Sequence, residues 1–464
     1  MILEQFYLGC LSHASYILGD EKTKTAVIVD PQRDVDLYLE AAAEKGLKIK
    51  HVFLTHFHAD FLAGHLELRE KTGAVIHLGA SAEAEFAFVP AKDGEVYDWG
   101  DLRVKIMETP GHTPEGISLL VYDLAQSADK PKAVLTGDTL FVGDVGRPDL
   151  LASIGYTSEQ LGDMLYDSIH SKLLKLEDDV IVYPAHGKGS MCGKNLGDDP
   201  FSTIGKERIE NYALADMSKE QFLDIVTEDQ PEAPHYFVHD AILNRKEHEL
   251  LGPILARALK PLSLEDVCKL RGEGKQILDA REPADYAREH LKGSINVGLE
   301  GPYASQCGSV LDLKIPIVVI ADPDEEEEAV VRLGRIGLAN TIVGFLEGGA
   351  DAWEGKNSEI ASIPIVKSEG LKEMLDGDSP PVILDVRVPM ERNRGAIANT
   401  VWIPLIELPA RMGELDKTKH MVVSCETGFR SATALGILEN AGFDKLTYHL
   451  DGYFGWSTRI EGAD

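Results

Sequence analysis

The sequence lacks any apolar run that approaches the roughly 18 residues of a membrane-spanning helix. Its N-terminus, MILEQFYLGCLSHASYIL, has an early Glu4 and no basic segment before its apolar residues, so we expect no secretory signal peptide. Basic residues are scarce, because 46 Lys and Arg stand against 77 Asp and Glu, a formal net charge of -31. Binding to nucleic-acid phosphates requires a surplus of Lys and Arg, so we expect neither a nucleic acid nor a membrane as a partner.

Cysteine is scarce as well. The five cysteines are odd in number and show no C-x-x-C spacing: Cys10, Cys192, Cys268, Cys307 and Cys425. This pattern argues against a disulfide framework and favours free thiols in a reducing cytoplasm. A cysteine with a function is therefore expected to act singly, as a nucleophile or a sulfur carrier.

The first half of the chain has the pattern of an α/β domain. Short β-branched runs such as TAVIVD (25–30) alternate with amphipathic stretches such as VDLYLEAAAEKG, a predicted helix that Gly46 ends. Most of the runs end in polar residues. The alternation is typical of an α/β sandwich with functional groups at the ends of its strands.

The second half contains an internal repeat. ILDAREP (277–283) recurs about 100 residues later as ILDVRVP (383–389), and GFLEGGADAW (344–353) recurs as HLDGYFGW (449–456) once a short gap is allowed. That separation is the size of a small α/β domain. We therefore predict one large domain at residues 1–255 and two copies of a smaller one at residues 260–357 and 364–464. The linker between the two copies is predicted around residues 355–366.

The run LTHFHADFLAGH (54–65) follows an apolar strand pattern and is typical of a metal site at the end of a strand. It contains His56, His58 and Asp60. Three later segments, TPGHTPEG, TGDTLF and YPAHG, add His112, Asp138 and His186. In this order and at these intervals the segments closely resemble the metallo-β-lactamase superfamily over roughly residues 1–250. The resemblance implies an αββα sandwich.

Phe61 departs from the family pattern, in which the Asp of this run is usually followed by another His. The resemblance implies that the first metal position keeps its ligands, whereas the second loses one. Two imidazoles and one carboxylate with open positions opposite form the facial triad of non-haem Fe(II) oxygenases. Within the superfamily, the persulfide dioxygenases hold a single iron in this way. The resemblance implies one Fe(II) per chain at His56, His112 and Asp138, with the other donors orienting ligands or bound water: His58, Asp60 and His186.

Two loops near this site carry further candidates. GDVGRPD (143–149) is similar to a G-R-x-D segment of the dioxygenases, so Arg147 either clamps the carboxylate or phosphate of a thiol carrier or forms an ordinary loop salt bridge. The Gly-rich AHGKGSMCGKNLGDD (185–199) is predicted to be a mobile loop at the mouth of the site, outside the core. We interpret Cys192, in its middle, as a persulfide carrier, with a small packing residue as the alternative.

The C-terminal copy contains a nucleophile pattern. HMVVSCETGFRSATALGILENAGF predicts a strand, then Cys425, a short loop and a helix from Ser431, whose backbone N–H groups favour an anion. The C-x-x-G-x-R-S loop strongly resembles the rhodanese active site. A phosphatase loop has one more residue between its Cys and its Arg. The resemblance implies that Cys425 carries the sulfur, assisted by Arg430, in a loop whose other members are Glu426, Thr427, Gly428, Phe429 and Ser431.

The two copies differ at the nucleophile. Where the second copy has VVSCETGFRSA, the first has VVIADPDEEEEAVV, with Ala321 or Asp322 in the place of Cys425. Acidic side chains would repel a persulfide or sulfite anion. We therefore predict that the first copy is an inactive rhodanese domain. The segment GAIANT (395–400) also departs from the usual GHIPGA of rhodaneses, which leaves the packing there open.

Together the motifs resemble bacterial persulfide dioxygenase–sulfurtransferases of sulfide detoxification. This implies an α/β protein in which an N-terminal αββα sandwich is followed by two small α/β rhodanese domains. It further implies oxidation of a low-molecular-weight thiol persulfide by O2 to sulfite, with Cys425 passing a sulfane sulfur to sulfite to give thiosulfate. A cytoplasmic homo-oligomer is expected by resemblance. Two alternatives stay open: a zinc-dependent thioester hydrolase of the glyoxalase II type fused to a sulfurtransferase, and a non-enzymatic sulfur-relay scaffold.

Overall fold

The computed structural model describes residues 1–150, 155–228, 230, 233–355 and 358–462. The chain folds into two compact units, one of Met1–Leu251 with Gly334–Gly337 and one of Gly252–Leu333 with Leu338–Asp464. The predicted domain limits at 357 and 464, and part of the predicted linker, lie outside the described residues. None of the helices described is long and apolar enough to cross a membrane.

The first unit is built on strands that are mostly buried. They are β1 (Ile2–Leu8), β2 (His13–Asp20), β3 (Thr25–Val29), β4 (Lys48–Phe53), β5 (Val75–Gly79), β6 (Val89–Ala91), β7 (Val96–Trp99), β8 (Leu102–Glu108), β9 (Ile117–Asp123), β10 (Ala133–Gly137), β11 (Ile181–Pro184) and β12 (Ser202–Thr203). The helices of this part are α1 (Asp36–Glu44), α2 (His65–Thr72), α3 (Ser158–Asp167), α4 (Ile204–Glu210), α5 (Lys219–Thr227), α6 (Tyr236–Leu243) and α7 (Leu251–Ala258), the last of which extends into the second unit.

These strands form two six-stranded sheets, in the orders β1-β2-β3-β4-β5-β6 and β12-β11-β10-β9-β8-β7. One core cluster takes side chains from both sheets, for example Val27 from β3 and Val104 from β8, and it lies between them. In β8, Leu102, Val104 and Ile106 are buried while the residues between them are half-buried, because alternate side chains of a strand point to opposite faces. Two further clusters pack helices against the outer faces. The predicted αββα sandwich is confirmed.

The sheet registers bring the polar strand ends together. Gly137 on β10 pairs with Pro184 on the parallel β11, so the chain leaves both strands at one edge, just before Asp138 and His186. Val29 on β3 pairs with Phe53 on the parallel β4, just before Asp30 and Thr55. The carboxyl ends of these parallel strands therefore place side chains of distant segments next to one another.

The second unit contains shorter strands and helices. The strands are β13 (Pro261–Leu262), β14 (Gln276–Asp279), β15 (His290–Leu291), β16 (Ser294–Asn296), β17 (Ile317–Ile320), β18 (Ile342–Leu346), β19 (Ile360–Ala361), β20 (Ile365–Val366), β21 (Val382–Asp385), β22 (Val401–Trp402), β23 (Met421–Ser424) and β24 (Leu446–His449). The helices are α8 (Leu264–Gly272), α9 (Pro283–Arg288), α10 (Tyr303–Val310), α11 (Glu326–Gly334), α12 (Ser368–Leu375), α13 (Pro389–Arg392), α14 (Leu408–Arg411), α15 (Phe429–Asn440) and α16 (Gly452–Trp456).

The internal repeat appears as two equivalent parallel sheets. Their orders are β13-β18-β17-β14-β16 and β20-β24-β23-β21-β22, so each strand of the first copy has a counterpart in the second. The copies also share a hydrophobic core, because Tyr286 and Ala287 of the first copy lie in the cluster that contains Leu384 and Val423 of the second. The repeat predicted from the sequence is confirmed.

Candidate functional site

Three donor atoms converge at the end of the first unit's sheets. Asp138 Oδ2 lies 3.6 Å from His56 Nε2 and 3.5 Å from His112 Nε2, and the three side chains are buried and close enough to hold one metal ion. Two ligand atoms that each lie about 2.1 Å from the same metal ion, at a wide angle to one another, are separated by nearly this distance. The cluster faces a cavity whose lining includes the hydroxyl side chains of Thr109, Thr113, Thr136 and Thr139.

The other ring nitrogens of the two histidines are already engaged. His112 Nδ1 donates to the backbone oxygen of Arg147 over 2.9 Å, and His56 Nδ1 lies 3.0 Å from Thr55 Oγ1. Such contacts orient an imidazole and leave the opposite nitrogen as the ligand. His56 Nε2 and Asp138 Oδ2 are buried and make no hydrogen bond to any described residue. Buried polar atoms without partners are costly, so this donor set fits a metal ion, and the fold and the cluster together imply one.

Behind this cluster, His186 lies between two carboxylates. Its Nδ1 lies 2.7 Å from Asp138 Oδ1 and its Nε2 lies 2.8 Å from Asp60 Oδ2. Burial disfavours the charged imidazole, yet Asp138 and Asp60 outweigh it and raise the pKa of His186 well above its usual value. The pKa of Asp60 falls to about 2, because His186 outweighs the opposing effect of burial. The contact with Asp138 Oδ1 is a hydrogen bond through His186 Nδ1, so His186 orients the carboxylate whose other oxygen faces His56 and His112.

His58 and Phe61 complete this side of the site. His58, Asp60 and His186 form a second group of three potential ligands, but His58 Nε2 also lies 3.1 Å from Asp30 Oδ1. The ring of Phe61 is fully buried, with its centroid 4.4 Å from that of His58 and 6.5 Å from that of His186. Phe61 therefore forms an apolar wall against these imidazoles.

In the second unit, Cys425 is the first residue after β23 and is almost fully buried. Its Sγ accepts a hydrogen bond of 3.1 Å from the backbone N–H of Gly428, whose φ of 99° suits glycine because it has no Cβ. Helix α15 then begins at Phe429, two residues before the predicted Ser431. The loop tightens earlier than expected because the backbone turns at Gly428, and this turn directs an N–H group at the sulfur.

Each guanidinium beside the loop is paired with a carboxylate. Arg430 donates to Glu391 through Nη1 (2.7 Å) and Nη2 (2.6 Å). Arg387 binds Asp385 and lies 3.2 Å from Glu426 Oε2. Of the remaining predicted loop residues, Thr427 is exposed, and Ser431 is buried with its Oγ bound to no described residue. The loop thus surrounds Cys425 with balanced charges.

Comparison with known proteins identifies the domains that carry these two sites. Residues 8–186 match the metallo-beta-lactamase superfamily. A metallo-beta-lactamase structure from Staphylococcus aureus subsp. aureus COL is 34% identical, with a TM-score of 0.65, over 74% of this chain and 98% of that one. The chain belongs to the metallo-β-lactamase superfamily. Residues 263–356 and 368–459 each match the rhodanese-like domain, so two rhodanese-like domains follow the metallo-β-lactamase domain, as predicted.

Two relatives of the metallo-β-lactamase domain carry different names. The mitochondrial persulfide dioxygenase ETHE1 of Bos taurus is 28% identical over 234 residues, which cover 49% of this chain and 80% of the relative. The hydroxyacylglutathione hydrolase GloC of Haemophilus influenzae is 28% identical over 211 residues, or 41% of this chain and 92% of the relative. Relatives of the dioxygenase and of the hydrolase type therefore both exist for this metallo-β-lactamase domain.

Arg147 of the metallo-β-lactamase domain forms a salt bridge within its own loop. Its side chain is almost fully buried and binds Asp149 through Nε (2.6 Å) and Nη2 (2.7 Å), with a further bond to the backbone oxygen of Met191. This is the loop salt bridge, and the clamp on a substrate anion stays a prediction. Arg147 also supplies the backbone oxygen that orients His112.

Cys192 is not in an exposed loop, contrary to the expectation from its Gly-rich surroundings. It is 1% exposed, and burial, with the nearby charges of Asp60 and Asp138, raises the pKa of its thiol well above the usual value. The backbone oxygen of Cys192 accepts from the N–H of Arg147 over 2.9 Å, which holds the loop inward. Its sulfur belongs to a third group of potential ligands, with Asp138 and His186. The thiol therefore faces the metal cluster.

Two residues of the metallo-β-lactamase domain site were missed in the sequence. His13 is fully buried, and its ring centroid lies 4.0 Å from that of Phe61. Glu115 accepts from the N–H of Phe57 over 2.9 Å and so fixes the backbone between His56 and His58. His13 follows no metal-binding spacing, and only its single position in the apolar N-terminal run could have drawn attention to it.

The first rhodanese-like domain has no thiol at the equivalent position. Ala321 is the first residue after β17 as Cys425 is after β23, which settles the choice between Ala321 and Asp322. Burial and the neighbouring carboxylates Asp279 and Asp285 raise the pKa of Asp322, and Arg281 opposes them only in part. The residues that would surround a persulfide in this copy are therefore acidic.

Proposed function

We propose that the protein oxidises low-molecular-weight thiol persulfides with O2 to sulfite at one Fe(II), and passes sulfane sulfur from Cys425 to sulfite to give thiosulfate. The ligands would be His56, His112 and Asp138. The biological role is sulfide detoxification in the cytoplasm. The five unpaired cysteines support a reducing compartment, and a homo-oligomeric state rests on family resemblance alone.

Both reactions balance without another redox cofactor. One persulfide R–S–SH, one O2 and one water give one thiol R–SH, one sulfite and two protons; the terminal sulfur is oxidised and O2 is reduced. At the second site, the Cys425 thiolate first takes the terminal sulfur of R–S–SH and releases R–SH. Sulfite then attacks the outer sulfur of the Cys425 persulfide, the S–S bond breaks, and thiosulfate leaves with the cysteine restored as a thiolate.

The observation that carries the proposal is the donor set beside Phe61. The Nε2 atoms of His56 and His112 both lie within 3.6 Å of Asp138 Oδ2, and a metal held by two imidazoles and one carboxylate keeps open positions. Non-haem Fe(II) supplies the activation of O2 in such sites. Phe61 supplies no ligand, and its ring excludes water from the side where a second ion would bind. His186 holds Asp138 in place, and the persulfide dioxygenase relatives support the choice of substrates.

Cys192 is proposed to carry persulfide sulfur beside the metal. Its sulfur faces Asp138 and His186, where an incoming sulfane sulfur would come next to the bound metal. Cys192→Ser should then lower the rate of O2 uptake while the metal content stays unchanged. If O2 uptake is unaffected, Cys192 is a packing residue.

The decisive experiment is O2 uptake by the purified, iron-loaded protein given a panel of persulfides, with metal content measured on the same samples. We expect about one iron per chain and O2 consumption only with a persulfide present. His112→Ala should abolish sulfite formation. Absence of O2 uptake with glutathione, coenzyme A and similar persulfides would overturn the proposal, and an unimpaired His112→Ala variant would favour a scaffold.

The second candidate is a zinc-dependent thioester hydrolase fused to a sulfurtransferase. The group of His58, Asp60 and His186 favours it, since these three donors lie close enough to hold a second ion, and the hydroxyacylglutathione hydrolase relatives also support it. About two zinc ions per chain and hydrolysis of a glutathione thioester would establish this activity instead.

A further inference from the structure

We propose that Glu391 determines which acceptors react at Cys425, because its carboxylate occupies the anion-binding side of Arg430 and competes with incoming oxyanions. The choice of sulfite as the natural acceptor rests on the proposed function. The competition itself does not, because any small anion that approaches Cys425 would meet the same pair.

The ion pair has the geometry that a substrate anion would adopt. Arg430 uses both terminal nitrogens on the two carboxylate oxygens of Glu391, at 2.7 and 2.6 Å. A guanidinium binds sulfite or thiosulfate through the same fork of N–H groups. As long as Glu391 is in place, the fork is not available to such a ligand.

The carboxylate of Glu391 can leave the guanidinium of Arg430, whereas the carboxylate of Asp385 is held at the guanidinium of Arg387. The side chains of Arg430 and Glu391 are 22% and 23% exposed, so solvent reaches the pair. Arg387, in contrast, is 1% exposed. It is held by Asp385, by the backbone oxygen of Gly395 and by the ring of Tyr453, 4.0 Å from its guanidinium carbon. Of these two guanidinium groups, that of Arg430 therefore combines access from solvent with a position in the Cys425 loop.

The charges around the loop leave no surplus for an anion. Three guanidinium groups, from Arg387, Arg392 and Arg430, are paired with three carboxylates, from Asp385, Glu391 and Glu426. An entering dianion must therefore break the Arg430–Glu391 pair and then lies near a carboxylate that repels it. Neutral acceptors do not need the fork. Glu391 thus weakens the binding of small oxyanions relative to neutral thiols.

The position of Glu391 on its helix also allows its side chain to be displaced from Arg430. Helix α13 has only four residues, and Glu391 Oε2 accepts a second hydrogen bond, of 3.2 Å, from the backbone N–H of Val388. That contact gives the carboxylate a position next to the helix N-terminus when it turns away from Arg430. The displaced carboxylate therefore stays hydrogen-bonded.

Alkylation of Cys425 tests the competition without any sulfur chemistry. The thiolate displaces iodide from iodoacetate, an anion, or from iodoacetamide, its neutral analogue, and mass spectrometry of the Cys425 peptide gives both rates. Glu391→Gln should raise the iodoacetate-to-iodoacetamide rate ratio roughly 1.5- to fivefold, the range expected when an accessible ion pair is lost. The full-length protein is used throughout.

A matched control lies in the same domain. Arg411 forms the same kind of two-point pair with Glu414, through Nε (2.7 Å) and Nη2 (2.9 Å). Glu414→Gln should leave the ratio unchanged. Arg430→Gln should lower the ratio, because Glu391 is then left unpaired and repels the anion, and adding Glu391→Gln to it should restore part of the loss. A ratio that is unchanged or lowered by Glu391→Gln and also by Glu391→Ala would overturn the proposal.

Steady-state kinetics separate this role from a structural one. With sulfite as acceptor, Glu391→Gln should lower the KM for sulfite severalfold and leave kcat within about twofold. If Glu391 only positions Arg430, the variant should instead lose kcat or gain KM. If sulfite proves not to be an acceptor at all, the proposed function fails at that step, while the alkylation ratio still decides the role of Glu391.

Discussion

His186 donates from Nδ1 to Asp138 Oδ1 over 2.7 Å, and Oδ2 of the same carboxylate faces both His56 and His112. In the proposed site, the contact orients the ligand Asp138 through a residue that does not itself bind the metal. His186→Gln should therefore weaken metal binding about 10- to 100-fold rather than abolish it, the range for residues that orient ligands. Iron retention during dialysis against a graded chelator measures this. His170→Gln, a half-buried histidine of the same domain, should have no effect, and complete loss of metal from His186→Gln would make His186 a direct ligand.

Phe61→His should convert the site from one metal ion per chain to about two. The new imidazole would replace a ring that packs 4.0 Å from His13 and 4.4 Å from His58, and it would join Asp60. Metal analysis after equilibration with zinc or iron gives the stoichiometry, and O2 uptake should fall. Phe86→His is the control, because it places an imidazole at another buried position of the domain. A stoichiometry that stays near one in Phe61→His would mean that Phe61 does not determine the number of ions.

Ala321→Cys in a Cys425→Ser background should not restore sulfurtransfer. The new thiol would sit at the equivalent strand end, but Asp322 and Glu325 lie beside it, and burial and neighbouring carboxylates raise the pKa of both. We expect transfer at least about 100-fold below that of the native Cys425 site, because like charges destabilise a persulfide anion. Thiosulfate formation is the measurement. Activity close to that of the native chain would show that the missing thiol alone inactivates this copy.

Gly301→Ala should slow the reaction of Cys425 from a distance. A Cβ at Gly301 would lie 2.8 Å from Cδ1 of Phe429, the first residue of α15 and a member of the Cys425 loop, so the ring must shift. A cost of about 1 kcal/mol corresponds to a roughly fivefold loss in kcat/KM for sulfurtransfer. O2 uptake should be unchanged. Gly272→Ala, where a Cβ would meet nothing within 4 Å, is the control; equal losses in both variants would remove Phe429 from the explanation.

His77 should make the first unit less stable in acid. Burial, with a smaller effect of His51, lowers the pKa of His77 to about 3, below its value in the unfolded chain. Between that value and about 6.5 the unfolded state binds the extra proton, so stability should rise with pH by up to about 1.4 kcal/mol per unit and level off above 6.5. Hydrogen exchange of peptides from β4 and β5, compared at equal pH with His77→Gln, checks this. The variant should lose that dependence, and an unchanged slope would assign it to other groups.

Much of the metal cluster could be predicted because each ligand follows a strand in a segment with its own pattern. His56, His112 and Asp138 lie far apart in the sequence, but the ends of β4 in one sheet and of β8 and β10 in the other meet in the fold. Phe61 was informative because it replaces the His that the family usually has after the Asp of this run. Cys425 was predictable because nucleophile, glycine and arginine all lie within one short loop.

Contacts between segments without such patterns could not be predicted. Arg147 is two residues from Asp149, but sequence does not tell whether a charged side chain turns inward to its neighbour or outward to a ligand. Cys192 is surrounded by Gly and Lys, which suggested exposure, yet backbone bonds to Arg147 fold it inward. Glu391 lies 39 positions from Arg430 in the sequence. His13 and Phe61 are also far apart in the sequence, and only the folding of the sheet brings their rings together.

The core that Tyr286 and Ala287 share with Leu384 and Val423 has a consequence for the solubility of the second copy on its own. Deleting the first copy would expose part of the second copy's interior to water, so the first copy contributes to the fold of the second although it has no thiol at residue 321. A gene encoding the second copy alone should accordingly give an aggregation-prone product.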